Sequence, residues 1–309
     1  MCPRAVCRDV ITRFLSVARL HLSWKYAALL AVLLPSVAVG TAKAVTWTAG
    51  DLVSTAAGNP LNGDAGQRPD RLFSRAYLEL LIDDTSAIFT APRRWDRRDW
   101  MIAGGLTSLV LSSTALDGQI REESQENRTR DLNALTQNIQ RLGAEGSWVV
   151  LGVFGAYGEF AGDRRAKAVA LDGVTASIIA SGLVTPTLKW AVGRTRPNAS
   201  DRVFDIHPFR GNYSFPSGHA TQAFAIAAVV AAHYDRWWVQ GLSYGLAGLV
   251  AYSRIEQNAH YASDVVGGAV IGTVIGRAIV LRHNSKERAF TVAPYADRHG
   301  TGLVVERLF

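Results

Sequence analysis

Apolar residues dominate long parts of this chain, in stretches rich in Ala, Gly and Val that lack the alternation of a strand. Stretches of this length predict buried helices. Between the first two apolar stretches, residues 117–146 are polar but carry Leu and Ile at helical spacing, which predicts an exposed amphipathic helix. We therefore predict an all-α fold, a compact multi-helix bundle. The apolar stretches lie at about 101–116, 147–158, 173–192, 219–234, 237–253 and 264–281.

The first part of the chain has the pattern of an export signal. Residues 1–25 are basic, residues 26–40 are apolar, and the small residues on either side of Lys43 form the pattern that signal peptidases recognise. We predict a signal peptide over residues 1–44, with an uncleaved anchor helix as the alternative. The mature protein is then expected in the periplasm or at the outer face of the cytoplasmic membrane.

Composition divides the rest of the chain into three parts. Residues 45–70 are rich in Gly, Asp and Asn and show no apolar period, which predicts a linker. Residues 71–287 form the predicted helical domain. Residues 288–309 alternate like a pair of strands on either side of Asp297 to Gly300, which predicts a C-terminal tail or β-hairpin.

Charge and cysteine usage exclude several classes of partner. The chain has 33 Lys and Arg against 26 Asp and Glu, a formal charge of +7. Most of this excess lies in the first 44 residues, so the body is nearly neutral and a nucleic-acid partner is not expected. The two cysteines, Cys2 and Cys7, leave no disulfide framework or thiolate metal site downstream.

In length and polar content, the apolar stretches are intermediate between the core helices of soluble proteins and membrane-spanning helices. Their uncharged runs are shorter than the about 20 residues that cross a bilayer, and they contain Ser, Thr and Gln. This favours a soluble bundle or one with peripheral membrane association. A multi-spanning bundle of short or tilted helices is the alternative.

Three motifs between residues 189 and 264 carry the chemistry. Each falls at the end of a predicted helix, and successive helices with short connections run antiparallel, so the active site is expected at one end of the bundle. The long connection 193–218 is the kind of loop that shapes a site. The motifs are Lys189 to Pro197 (KWAVGRTRP), Pro216 to His219 (PSGH) and Ser253 to Asp264 (SRIEQNAHYASD).

Basic side chains in these motifs suit a tetrahedral oxyanion. Lys189, Arg196 and Arg254 supply up to three positive charges, and the arginine forks match phosphate oxygens. Ser217 is a good N-cap, and Gly218 lets the backbone N–H groups of the next turn approach an anion. The sequence therefore predicts a phosphate pocket.

Two histidines and a carboxylate add the groups for covalent catalysis. His260 and Asp264 are four residues apart, which on a helix places them on one face, where the carboxylate orients the imidazole for attack. His219, on the opposing helix, is then available as the acid. Singly, such residues are usually caps or surface contacts, and it is their joint occurrence that indicates a site.

Three nearby residues receive a plainer interpretation. Arg194 and His207 lie in the long connection and are predicted to be solvated loop residues. Asp117 follows an apolar stretch and is predicted to be a hydrogen-bonding residue rather than a catalyst.

The motifs resemble the signature of the type 2 phosphatidic acid phosphatase and vanadium haloperoxidase superfamily: Lys-x6-Arg-Pro, Pro-Ser-Gly-His and Ser-Arg-x5-His-x3-Asp. Every signature position is matched, and the resemblance covers roughly residues 100–282. It implies an all-helical core, a phosphohistidine intermediate on His260 held by Asp264, His219 as general acid and then base, and no metal. The phosphate contacts that it implies are Lys189, Arg196, Ser217, Gly218 and Arg254.

The resemblance predicts a metal-independent phosphatase without a cofactor. Phosphate monoesters are its expected substrates, lipid phosphates of the phosphatidate or isoprenyl type first among them and soluble phosphomonoesters next. One alternative is a haloperoxidase, in which vanadate would be a prosthetic group rather than an inhibitor. The other is a catalytically silent anion-binding envelope protein, against which the intact His219, His260 and Asp264 argue.

Overall fold

The computed structural model describes residues 68–69, 72, 74–211, 213–287, 290–297 and 300–307. The predicted signal segment 1–44 lies outside the described residues, as does the predicted linker 45–70 apart from residues 68 and 69.

The described chain is helical, as predicted, and ends in two strands. Helices α1 to α5 are Arg75–Thr90, Arg97–Ser113, Asp117–Glu126, Arg130–Leu142 and Glu145–Ala161. Helix α6 (Arg164–Ser177) continues through a π-helical segment (Ile178–Val184) into α7 (Thr185–Val192). Helices α8, α9 and α10 are Gly218–His233, Trp237–Glu256 and Ala262–Glu287. Strands β1 and β2 are Phe290–Asp297 and Gly300–Arg307.

Helices α8 and α10 form the centre of the bundle and pack backbone against backbone. A Cβ atom at Gly272 would lie 2.3 Å from the carbonyl oxygen of Thr221, and one at Gly276 would lie 2.5 Å from that of Ala225. Only glycine permits such an approach, and the four-residue spacing keeps both glycines on one face of α10. This contact holds the first turns of α8 and α10 side by side, where the second and third motifs lie.

The hydrophobic core continues from this pair onto α1, α5 and α6. Buried side chains from these helices include Leu151, Val169, Ile179, Val229 and Ile279. Asp163 caps the start of α6, and its side chain accepts hydrogen bonds from the N–H groups of Arg165 and Ala166. Helices α1, α5, α6, α8 and α10 therefore share one core.

A buried polar network ties the other end of the bundle together. The His283 imidazole lies between two carboxylates, with Nε2 2.7 Å from Asp84 Oδ2 and Nδ1 2.7 Å from Asp172 Oδ1. His233 Nε2 lies 2.7 Å from the other oxygen of Asp172. These residues connect α1, α6, α8 and α10 at the end away from Ser217. Buried charges in proteins need such partners.

The C-terminal tail contains the two strands predicted for it. They pair antiparallel, with Phe290 opposite Arg307 and Asp297 opposite Gly300.

Large apolar side chains cover several outer helix faces. Phe160 is 91% exposed and Trp237 is 85% exposed, and Val149, Val153 and Tyr157 extend the face of α5. Two helical stretches, Arg164–Val192 and Ala262–Ser285, are long and apolar enough to cross a membrane, although their most apolar windows are 72% and 61% buried. Core helices of soluble proteins pass that length test too, so the exposed faces are the more informative observation.

Candidate active site

The first motif is placed by the end of α7. Gly193 ends this helix in the left-handed conformation (φ 62°), and a Cβ there would lie 1.8 Å from the carbonyl oxygen of His207. Lys189 lies one turn earlier, and its Nζ donates to the carbonyl oxygen of Tyr213 at 2.6 Å. Arg196 follows the turn and is exposed. Lys189 therefore contacts the loop that leads into α8.

The second motif opens α8. Ser217 occupies the N-cap position, as predicted, but its hydroxyl makes no capping hydrogen bond and is buried. The N–H groups of Gly218 and His219 lie in the first turn, where a helix offers no acceptor of its own. This helix start presents a hydroxyl and two N–H groups to an anion, with the positive end of the helix dipole behind them.

The third motif spans the end of α9 and the start of α10. Arg254 is buried in the last turn of α9, and its Nη1 donates to Gln140 Oε1 and, at 3.1 Å, to Gln257 Oε1. The prediction that His260 and Asp264 share one helix face was wrong. Helix α10 begins at Ala262, so His260 lies in the preceding loop and only Asp264 lies in the first turn.

The loop nevertheless turns the His260 imidazole toward the Asp264 carboxylate. The distance from His260 Nδ1 to Asp264 Oδ2 is 3.7 Å. The same oxygen accepts from the Tyr261 N–H at 2.9 Å and from Ser214 Oγ at 2.5 Å. Since Nδ1 faces the carboxylate, the lone pair of Nε2 is the one that can react.

The site is strongly cationic around its two histidines. The charges of Lys189, Arg196 and Arg254 all act on His219, and those of Lys189 and Arg254 also act on His260. Burial lowers the pKa of His260 to about 4, so its imidazole is neutral at pH 7. A neutral imidazole among these cations combines a nucleophile with an anion-binding surface.

Three buried polar atoms in this cluster have no hydrogen-bond partner among the described residues: Ser217 Oγ, Arg254 Nε and His260 Nδ1. Buried polar groups are nearly always satisfied, so unpaired ones at one place indicate a ligand site. The backbone joins the motifs as well, because the Ser217 N–H donates to the carbonyl oxygen of Asp264 at 2.9 Å. This backbone contact and the charges that act on His219 thus bring the three motifs together.

Sequence reasoning missed the role of Arg194. It was predicted to be solvated, but it is 4% exposed and lies between two buried carboxylates. Its Nη1 is 2.8 Å from Asp264 Oδ1, and its Nη2 is 2.8 Å from Asp117 Oδ2. Ser263 completes the group by donating its N–H and its hydroxyl to Asp117. The left-handed turn at Gly193 directs Arg194 inward, and no local pattern reveals that direction.

The other two plain interpretations agree with the structure. His207 is a half-exposed loop residue 2.8 Å from Asp205 Oδ1. Asp117 is a hydrogen-bonding residue, as predicted, although it is fully buried at the start of α3. Within the described residues, no cluster of three or more His, Cys, Asp or Glu side chains is arranged to hold a metal ion.

Residues 173–288 match the family model of the PAP2 superfamily. All three motifs fall inside this range. By this match, this part of the chain is similar to the PAP2 superfamily. The all-helical PAP2 region therefore contains α7 to α10 and the whole cationic cluster.

Named relatives of the PAP2 region are phosphatases. A lipid A 1-phosphatase of Rhizobium etli is 35% identical over 101 residues, which cover 31% of this chain and 43% of that protein. Lipid phosphate phosphatase epsilon 2 of Arabidopsis thaliana is 23% identical, over 65% of this chain and 73% of its own length. The chain thus spans less than half of the Rhizobium relative that it matches.

Among solved structures, the chain is similar to a transmembrane PAP2-type phosphatidylglycerolphosphate phosphatase from Bacillus subtilis. The two are 22% identical, with a TM-score of 0.46, over 59% of this chain and 95% of that one.

Proposed function

We propose that this protein is a phosphoric monoester hydrolase that acts on lipid phosphates through a phosphohistidine intermediate. The observation that carries the proposal is the neutral, buried imidazole of His260, whose Nδ1 lies 3.7 Å from Asp264 Oδ2 and on which the charges of Lys189 and Arg254 act. A phosphoryl group held by these cations would lie within reach of the imidazole Nε2.

The first step is attack of His260 Nε2 on phosphorus. A P–N bond forms while the bond to the alcohol oxygen breaks. Burial and the nearby cations lower the pKa of His219 to about 4 in the free protein, so its ring takes up a proton when the negatively charged phosphate binds. His219 donates that proton to the alcohol oxygen, and a neutral alcohol leaves. Negative charge on the phosphoryl oxygens is stabilised by Lys189 and Arg254, with the first-turn N–H groups of α8. Asp264 stabilises the positive charge that develops on the His260 ring.

The second step is hydrolysis of the intermediate. His219, now neutral, accepts a proton from water as the water oxygen attacks phosphorus. The P–N bond breaks, inorganic phosphate leaves, and both histidines return to their starting states. The groups gathered here are cations and N–H donors, which suit an oxyanion, so we propose that the reaction needs no metal.

The exposed apolar faces support action at a membrane. Continuous apolar surface such as that of α5 is unfavourable in water and favourable against lipid. The names of the relatives point to lipid phosphates as substrates. We therefore place the protein at a membrane, with the predicted export signal directing it to the outer face.

The test is phosphate release from a long-chain phosphatidate by the full chain in detergent, with and without EDTA. We expect turnover that EDTA does not change, and a 32P-labelled protein that is stable in alkali and labile in acid. His260→Ala should abolish both turnover and labelling, whereas the matched variant His207→Ala should keep both. Activity lost with EDTA, or kept in His260→Ala, would overturn the mechanism. Bromide oxidation with vanadate and peroxide instead of hydrolysis would establish the haloperoxidase alternative.

A further inference from the structure

A cavity of about 440 Å³ lies beside the phosphate site, between the first turn of α5, the π-helical segment and the first turn of α8. Gly218 and His219 belong to both the cavity wall and the phosphate site. The remaining wall includes Trp148, Ile178 and Leu183, which are apolar, and Ser181, which is polar. The cavity is therefore an extension of the site on the side of His219.

The direction of the reaction determines what this cavity receives. His219 is the proposed acid for the oxygen of the departing alcohol, so that oxygen must lie next to the His219 ring. In-line displacement places the departing group opposite the attacking His260. The alcohol part of the substrate therefore extends from His219 into the cavity.

The wall chemistry indicates which kind of alcohol fits. Two polar side chains of the wall bond within the protein: Gln222 Nε2 donates to Ser177 Oγ at 2.9 Å, and Ser177 Oγ donates to the carbonyl oxygen of Gly173 at 2.7 Å. The larger side chains, Trp148 and Ile178, offer apolar surface. A wall of this kind favours a hydrocarbon chain over a sugar or nucleoside, whose hydroxyl groups would lose hydrogen bonds.

The π-helical segment forms one wall of the cavity. Single π turns within α-helices occur often at functional sites, and this one lies across from His219. Gly182, in the middle of the segment, has no side chain, and a Cβ built there would meet only the carbonyl oxygen of Ser177, at 3.9 Å. The space in front of Gly182 is therefore available to a ligand.

The cavity also opens toward the apolar exterior. Trp148 is 50% exposed and Leu183 is 40% exposed, so both line the wall and reach the surface. Next to Trp148 on α5, Val149 and Val153 continue the exposed apolar face. A chain in the cavity can thus continue along this face without crossing a polar surface.

We propose that this cavity is the binding site for the alcohol part of the substrate and selects a long-chain or acylated alcohol, which enters between α5 and the π-helical segment. The proposal rests on the proposed function, because it takes His219 as the acid that faces the leaving oxygen. Gly182 is its specificity-determining position.

The experiment fills the cavity in steps with Gly182→Ala, Gly182→Leu and Gly182→Phe. Because Gly105 on α2 also has open space at its Cβ, and lies outside the cavity wall, Gly105→Phe is the matched control. Phosphate release is measured with dioctanoyl phosphatidate and with glycerol 3-phosphate. Circular dichroism and the melting temperature of each variant report folding.

We expect kcat/KM for dioctanoyl phosphatidate to fall progressively, by about tenfold or more in Gly182→Phe, because each added methylene displaces part of the chain. Activity on glycerol 3-phosphate should stay within about twofold, and Gly105→Phe should match the parent on both substrates. A folded Gly182→Leu or Gly182→Phe that keeps full activity on the long-chain substrate would overturn the cavity assignment. Equal loss on both substrates in folded variants would overturn it too. Neither result bears on the proposed function, which is tested separately by phosphate release from the parent protein, by EDTA and by His260→Ala.

Discussion

Arg194 and Asp264 form an ion pair at 2.8 Å in the interior, and the other oxygen of Asp264 faces the His260 ring. The pair continues to Asp117, which accepts from the other end of the Arg194 guanidinium. Arg194 therefore acts on the reaction through Asp264, because it fixes the carboxylate that orients the nucleophile. It is a positioning residue, and its substitution should disturb the orientation of His260 without removing a group that reacts.

We expect Arg194→Gln to lower kcat by about ten- to a hundredfold with little change in KM, as is found when partners that orient a reacting group are removed. Arg194→Lys keeps the charge but loses the fork that reaches both carboxylates, so it should recover only part of kcat. Steady-state kinetics on phosphatidate, with melting temperatures for each variant, check this. A change in KM alone would mean that Arg194 binds substrate instead.

The loss of activity caused by His219→Ala should depend on the leaving group of the substrate. An alkyl oxygen leaves poorly without a proton, whereas p-nitrophenolate is a stable anion, so the loss of an acid should be far greater for phosphatidate than for p-nitrophenyl phosphate. We expect about a hundredfold or more against the alkyl substrate and about tenfold or less against the nitrophenyl substrate. Single-turnover rates of enzyme labelling measure the first step directly. Equal losses on the two substrates would remove His219 as the acid.

Burial of His260 makes stability depend on pH in a defined window. Its pKa is lowered from 6.5 to about 4 in the folded protein, so between these values the unfolded chain binds a proton that the folded protein does not. This part of the stability is fully present above pH 6.5 and is lost as the pH falls toward 4.

His260→Gln removes this titration. We expect the melting temperature of the parent to fall more steeply between pH 7 and pH 4 than that of His260→Gln, measured by calorimetry in the same detergent. Parallel curves for the two proteins would show that His260 titrates at its ordinary value.

The contact between α8 and α10 predicts that replacing Gly272 by alanine changes stability very differently from replacing Gly241 by alanine. Gly272→Ala would bring a Cβ within 2.3 Å of the Thr221 carbonyl oxygen and force the helices apart, so a destabilisation of about 1–3 kcal/mol is expected. Gly241→Ala, on α9, meets nothing within 4 Å and should be neutral or stabilise by up to about 1 kcal/mol. Thermal unfolding of both variants checks the difference, and equal effects would contradict the close packing.

Much of the fold followed from local pattern. The apolar stretch predicted at 219–234 is observed as Gly218–His233, and the one at 237–253 as Trp237–Glu256, because helix periodicity and the short joint between them are local properties. The antiparallel order that they impose was enough to predict that the three motifs meet at one end. Helix ends were less accurate, and His260 was placed on a helix that begins only at Ala262.

The sequence by itself determined the helical class and the residues of the cationic cluster, because both follow from the spacing of residues along the chain and from side-chain type. Only the tertiary structure decided that Arg194 is buried between Asp117 and Asp264, and that a cavity opens beside His219 in front of Gly182. These relationships join residues far apart in the chain. They depend on a left-handed turn at Gly193 and on a π-helical segment, which are set by packing around them rather than by any local pattern of polarity.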